Sequence, residues 1–174
     1  MIGRIIQFYH AVTAKLTDDD IAFINKYLSA AEYKLFNEMH TYDKCHAVNV
    51  AYSAVKIAGQ YSRIDIDLLI RAALLHDVGR TAHNICIFDK VIFVLLNKIS
   101  KNGLLYIARK GCSGFAGKRR NALYICMNHA AVGAAKLYEI GAADIAKIVE
   151  HHHDKLYDGG SSELAILHRA DELN

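Results

Sequence analysis

The sequence predicts an all-α protein, and three observations support this fold class. Apolar residues recur at three- and four-residue steps through most of the chain, as Val48, Ala51, Val55 and Ala58 do. No segment shows a convincing alternation of apolar and polar residues, which would indicate a strand. The 174 residues include no proline, so no proline ring interrupts a long helix. We expect a helical bundle of about seven to nine helices.

The first helix is predicted from its cap, and the second from its apolar residues. Thr17 precedes three aspartates and is expected to cap one helix, and a second helix covers about residues 30–39. Residues 1–40 are therefore expected to form N-terminal helices that pack on the core.

Asp43 is expected to cap the next helix, and a further helix starts at Asp65 or Asp67 and stops at Gly79. The remaining predicted helices cover about 89–99, 121–140, 142–152, and the stretch from Ser161 or Ser162 to the C-terminus.

Length and composition limit the class of protein. A chain of 174 residues with 53% hydrophobic and 22% charged residues is globular, and we expect a single domain over 1–174. The net charge of +3 is too small for a general nucleic-acid coat, so nucleic acid is not an expected partner. The four cysteines form no CxxC pair, which is typical of free thiols in a reducing, cytoplasmic compartment. No apolar run suggests a membrane partner.

The segment 101–120 departs from the helical pattern. It holds four glycines and six basic residues with no acid, so the whole positive balance of the chain lies within it. We expect a basic, glycine-rich loop. It is either a solvated surface loop or a lid that attracts a phosphorylated substrate.

Histidines and aspartates form an ordered set along the chain. Each member lies on or at the end of a predicted helix, and both residue types are ligands of Fe, Mn and Zn. A carboxylate has two oxygens and can bridge two ions, which makes Asp77 the natural bridging ligand. In chain order the set is His46, His76-Asp77, His129, His151-His152-His153 and Asp171.

This order resembles the HD superfamily of metal-dependent phosphohydrolases. The doublet stands in Leu75-His76-Asp77-Val78-Gly79-Arg80, and Gly133 follows His129 at four residues, where it lets a backbone or a substrate come close. The segments KLTDDD, ALLHDVGR, Asp89-Lys90-Val91 and LHRADELN are similar to a bacterial branch of that superfamily. The resemblance covers nearly the whole chain and implies an all-α HD-domain bundle.

The extra histidines place the resemblance in the subgroup with six ligands and two ions. It implies a first ion on His46, His76, Asp77 and Asp171, and a second on Asp77, His129 and His152. Three consecutive helical residues cannot all face one ion, so His153 and His151 are alternates for His152. A single ion on the first four ligands is the simpler alternative. No Gly-Tyr-Pro element follows the histidine triple, so the cyclic dinucleotide of the HD-GYP enzymes is not the expected substrate.

The resemblance also implies the activity. We expect hydrolysis of a nucleotide or another phosphate ester or anhydride by a metal-activated hydroxide. Asp77, Arg80 and Lys90 are the expected catalytic residues. The two cations either neutralise a substrate phosphate or have a surface role. Divalent Fe or Mn is the expected metal, while Ni, Co, Zn and Mg also fit. Two rival hypotheses are an iron-dependent oxygenase with the same ligands and a non-catalytic nucleotide-binding or signalling module.

Several residues keep structural alternatives. Asp43 either orients the His46 imidazole or caps a helix. The oligomeric state is open, with a dimer among the alternatives. The other histidines are expected to be structural or exposed, namely His10, His40, His83 and His168.

Overall fold

The computed structural model describes residues 15–108, 114–154 and 161–174, and within these ranges every regular element is a helix. Nine helices occur there, which confirms the predicted all-α class. No helix of the described ranges has the length and hydrophobicity needed to cross a bilayer. In chain order the helices are α1 (Asp18–Tyr27), α2 (Ala30–Asn37), α3 (Thr41–Ala58), α4 (Ile66–Leu75), α5 (Ile87–Ile99), α6 (Lys101–Ile107), α7 (Gly114–Glu139), α8 (Ala143–Glu150) and α9 (Ser162–Glu172).

Side-chain caps fix the starts of α1 and α2. Thr17 Oγ1 accepts the Asp20 N–H while the Asp20 carboxylate accepts the Thr17 N–H, and Ser29 and Glu32 repeat this capping box. The predicted cap at Asp43 is wrong. Helix α3 begins one turn earlier, because extended backbone at His40 supplies its N-cap position and leaves Asp43 buried inside the first turn.

Helix α4 lies at the centre of the bundle. Its residues from Leu69 to Leu75 are buried except Arg71, and it packs against α1, α2, α3, α8 and α9. Such a helix is apolar on most of its surface and has helices on several sides. Its C-terminus therefore ends inside the protein, where it delivers His76 and Asp77 at 1% exposure each.

The predicted basic loop is largely helical. Residues 101–107 form α6, which Ser100 caps by accepting the Gly103 N–H, and residues 114–120 form the first turns of α7. Leu104 packs against Leu123, and this burial stabilises helix despite the glycines. The prediction of a flexible loop over 101–120 is thus wrong for residues 101–107 and 114–120. Residues 109–113 lie outside the described residues.

A glycine pair brings two parts of the site together. A Cβ on Gly79 would lie 2.1 Å from the His129 carbonyl oxygen and 2.9 Å from the Gly133 nitrogen. The turn after α4 therefore touches the backbone of α7 directly. This confirms the expectation that Gly133 permits a close approach, and the approaching group is the backbone at Gly79.

We expect Gly79→Ala to lower the free energy of unfolding by at least about 2 kcal/mol, because the new Cβ forces two backbones apart. Gly59→Ala is the matched control. Gly59 has right-handed helical dihedrals and its added Cβ would meet only ordinary contact at 3.6 Å, so a change below about 1 kcal/mol is expected. Urea unfolding of both variants measures the difference, and equal stabilities would contradict this account of the contact.

The buried Glu32 carboxylate predicts a pH dependence of stability. Burial raises its pKa, but hydrogen bonds from Arg71 at 2.5 Å and from Ser29 outweigh burial and leave the pKa lowered. A lowered carboxyl pKa adds stability above the unfolded-state value, and this stability is lost as pH falls through the folded-state value.

We therefore expect Glu32→Gln to be most destabilising above about pH 5, with the gap to the parent narrowing below about pH 4. Urea unfolding across that range measures the gap. The control is Asp144→Asn, because the Asp144–Lys147 pair is exposed and 4.0 Å long. A gap for Glu32→Gln that stays constant with pH would contradict the assignment.

Candidate metal centre

Three histidines of the site lie where a helix ends or breaks. His76 occupies the C-cap of α4, and His152 follows the end of α8 at Glu150. His129 follows Asn128, whose dihedrals (φ −117°, ψ 16°) leave helical values inside α7. Carbonyl groups in the last turn of a helix lack an intrahelical donor, and a side chain just beyond can supply one.

Each of these imidazoles makes the same hydrogen bond to its own helix. The Nδ1 atom donates to the carbonyl three residues earlier: His76 to Ala73 at 2.8 Å, His129 to Cys126 at 2.9 Å, and His152 to Val149 at 2.6 Å. A carbonyl oxygen only accepts, so Nδ1 carries the proton. Each Nε2 atom then presents a lone pair, which is the form that binds a metal ion.

Two of these lone pairs lie close to Asp77. The His129 Nε2 lies 3.3 Å from Asp77 Oδ1, and the His76 Nε2 lies 3.7 Å from Asp77 Oδ2. Asp77 Oδ1 and His152 Nε2 are buried and have no hydrogen-bond partner among the described residues. Buried polar atoms without a donor are costly in a folded protein, and these acceptors fit a cation. The donor set therefore suits a divalent metal.

The first group of ligand atoms comes from α3, α4 and α9. His46, His76 and Asp77 place one ligand atom each within 4.8 Å of the others. Asp171 joins them, because its Oδ1 lies 3.0 Å from His46 Nε2 and 3.7 Å from His76 Nε2. The structure thus brings together the four residues expected at the first ion.

The second group comes from α7 and the turn after α8. His129, His152 and His153 also place ligand atoms within 4.8 Å of one another, with the Nε2 atoms of His129 and His153 2.8 Å apart. His151 points elsewhere, since its Nδ1 pairs with Asp154 Oδ2 at 3.0 Å. From the sequence, His153 was expected only as an alternate, because the three histidines were expected to be helical. Residues 151–153 form a turn instead, and both His152 and His153 face the site.

Electrostatics keep the cluster in its ligating form. Burial raises the pKa of Asp77, yet the charge of Arg80, with His76 and His129, holds that pKa well below its usual range. Burial lowers the pKa of His152 to about 3, and burial together with Arg80 lowers the pKa of His129 well below its usual range. At neutral pH these two imidazoles are neutral and the carboxylate is charged.

Asp171 and His46 form a more exposed pair at the edge of the cluster. Burial raises the pKa of Asp171, but the hydrogen bond from His46 lowers it to about 2. Burial lowers the pKa of His46, and the Asp171 hydrogen bond raises it above the usual value. This carboxylate is therefore ionised and faces the centre, as expected of a ligand.

Arg80 lies against the cluster itself. Its guanidinium donates to Asp77 Oδ2 at 2.6 Å and to His129 Nε2 at 2.9 Å, with the side chain partly exposed. From the sequence, Arg80 was expected to contact a substrate phosphate. The structure places it at the edge of the Asp77–His129 pair, with part of its surface open to solvent.

Lys90 and Asp43 pair with each other. The ammonium group bonds Asp43 Oδ1 and lies 4.5 Å from the centre of the Tyr42 ring. Asp43 was expected either to orient His46 or to cap a helix. In the structure Asp43 instead pairs with Lys90, one of the two cations that the sequence predicts near a substrate phosphate. Their partnership spans 47 residues, so no local sequence signal indicates it.

The remaining histidines have the expected structural or exposed positions where the structure describes them. His40 Nε2 bonds the Ile85 carbonyl and His168 Nε2 bonds the His151 carbonyl, which are structural roles. His83 is exposed, and His10 lies outside the described residues.

Comparison with known proteins identifies part of this arrangement. The model of the family described as HD domain matches residues 44–106, which include His46, His76, Asp77, Arg80 and Lys90. No curated protein and no solved structure matches the chain. The matched segment is about a third of the chain and contains His46 and the His76-Asp77 doublet. The fold places the other histidines of the site and Asp171 next to them. The match at residues 44–106 supports the similarity to the HD superfamily that the sequence predicts.

Proposed function

We propose that this protein is a metal-dependent phosphohydrolase with two divalent ions in one centre. The observation that carries the proposal is the pair of ligand groups, one on each side of the buried Asp77 carboxylate. Members of the HD superfamily are mostly metal-dependent hydrolases, and the ligand groups fit that chemistry.

The proposed ligand assignment follows the two groups. His46, His76, Asp77 and Asp171 would hold the first ion. Asp77 would bridge to the second, which His129, His152 and His153 would complete. Imidazole and carboxylate ligands suit Fe and Mn, and also Ni, Co, Zn and Mg to differing degrees. When bound, two such ions supply an activated water as nucleophile and polarise a phosphoryl oxygen.

The chain's own cations would orient the substrate. Arg80 is partly exposed at the edge of the ligand cluster, and Lys90 is partly exposed beside Asp43, one helical turn before His46. A guanidinium that already donates two hydrogen bonds to site atoms can donate in the same way to phosphate oxygens. Asp43 fixes the Lys90 ammonium, so that a second positive charge faces the phosphate without moving far. These two cations support a phosphate-bearing small molecule, and a nucleotide is the proposed substrate class.

Removing the bridging carboxylate tests the proposal. We expect Asp77→Asn to lose both ions, because the charge shared between the two groups disappears while the side-chain volume stays the same. Elemental mass spectrometry of protein purified without chelator measures the metal per chain. The control is Asp154→Asn, which alters an exposed carboxylate beside the histidine triple and is expected to keep the parent's metal content.

Activity follows in the same samples. Phosphate release from nucleotides and from nitrophenyl phosphate esters is expected from the parent and Asp154→Asn, and to fall below detection in Asp77→Asn. Full metal content in Asp77→Asn would contradict the proposed centre. Oxygen uptake without phosphate release would replace the hydrolase with an oxygenase, and metal binding without any turnover would leave a binding module.

The turn after α8 offers a sharper test of the second group. We expect His153→Ala to weaken the second ion by more than about 10-fold, a loss on the scale of removed metal-supporting groups. His151→Ala is the matched control, since His151 pairs with Asp154 and lies outside the group. Titration of the metal-depleted variants with Mn measures both affinities. Equal affinities in the two variants would remove His153 from the ligand set.

A further inference from the structure

Helix α5 exposes apolar residues on its outer face. On a helical wheel at 100° per residue, an arc of about 160° on its exposed side holds seven residues whose side chains are described, and Lys98 is the single charged one among them. The exposed fraction is 72% at Phe88 and 79% at Ile99. The other apolar members of the arc are Val91, Ile92, Val94 and Leu95.

The inner face of the same helix is more polar than the outer one. Asp89 is buried there, where its carboxylate accepts the Cys86 N–H and pairs with Arg119 at 2.8 Å. Phe93 and Leu96 supply the apolar contacts to the smaller clusters formed with α6 and α7. A surface helix normally turns its apolar stripe inward. Helix α5 turns most of its apolar surface outward, which is typical of a helix whose outer face packs against another structural element.

The size of this face matches a specific interface. Phe88 and Tyr106, the latter on α6, together expose about 280 Å² of aromatic surface. The exposed aliphatic residues of α5 and α6 add about 330 Å². If a second copy covered all of this exposed surface, the two copies would bury at most about 1,200 Å², which is the lower end of the range for specific complexes.

The spacing of the central residues indicates a helical partner. Phe88, Ile92, Leu95 and Ile99 follow one another at steps of four, three and four, which is the spacing of a helix–helix seam. This spacing is the same in both chain directions. An antiparallel second copy of α5 would therefore place Phe88 against Ile99 of the second copy and Ile92 against its Leu95, as a two-fold interface requires.

We propose that the protein forms a two-fold dimer through the outer face of α5, with α6 at the edge of the interface. The occupant is a second copy of this chain. Lys98 is the one charge within the arc, so the face has few groups that could bind a charged partner. Its apolar seam is complementary to a second copy of itself. The proposal is independent of the proposed hydrolase activity.

Sedimentation velocity on the full chain tests the dimer. The parent is expected to sediment at twice 19.4 kDa at micromolar concentration. Ile92→Glu should raise the dissociation constant at least about 100-fold, because each dimer would bury two unpaired carboxylates. Val55→Glu is the control on α3, where the exposed fraction of 38% is close to the 42% of Ile92. It should leave the dimer intact.

Cross-linking gives a second measurement that needs no disruptive variant. Leu95→Cys lies next to the expected two-fold axis and should form a covalent dimer with a short thiol-reactive cross-linker. Val55→Cys, which retains the same native cysteines, should not. Circular dichroism checks that each variant is folded. If Ile92→Glu is unfolded, the Leu95→Cys cross-link tests the interface in its place.

A parent chain that sediments as a monomer overturns the proposal, whether residues 1–14, a lipid surface or another protein covers the face. A dimer that survives Ile92→Glu with no Leu95→Cys cross-link places the interface elsewhere and also overturns it. Loss of the dimer in Ile92→Glu, together with a covalent dimer of the Leu95→Cys variant, supports it.

Discussion

Three ligands of the candidate site depend on one repeated hydrogen bond, from an imidazole Nδ1 to the backbone carbonyl three residues earlier. It fixes the tautomer and the ring orientation of His76, His129 and His152 by backbone geometry alone. No other ligand side chain needs to hold these rings in place. The bundle must only bring two helix ends and the break in α7 together, and the packing of α8 against both α4 and α7 does this.

The glycine contact sets how close those ends come. Gly79 lets the turn after α4 touch the α7 backbone at His129, so the doublet and the second ligand group are held together by a backbone contact as well as by their side chains. Backbone contacts deform less than long side chains do. The separation between the two ligand groups is therefore a property of the fold.

Much of the fold and site could be predicted from sequence because the signals were local. The Thr17 cap marked α1, apolar residues marked α2, and an apolar run before His76-Asp77 marked α4. The errors occurred where contacts between residues far apart in the sequence determine the local structure. Leu104 and Leu123 hold α6 and α7 in a segment whose glycines and charges favour a loop, and Lys90 fixes Asp43 across 47 residues. The early end of α8 then changed which of the histidines 151–153 face the site.

The back-bonded histidines have a thermodynamic consequence. In many small metal proteins the ligands are scattered until the ion arrives, so ion binding and chain folding are one equilibrium. Here hydrogen bonds within the chain already orient the rings. Folding and ion uptake would then be separate equilibria that are linked only by mass action. Ions would raise the melting temperature in proportion to the logarithm of their concentration, and a chelator would remove them without unfolding the bundle.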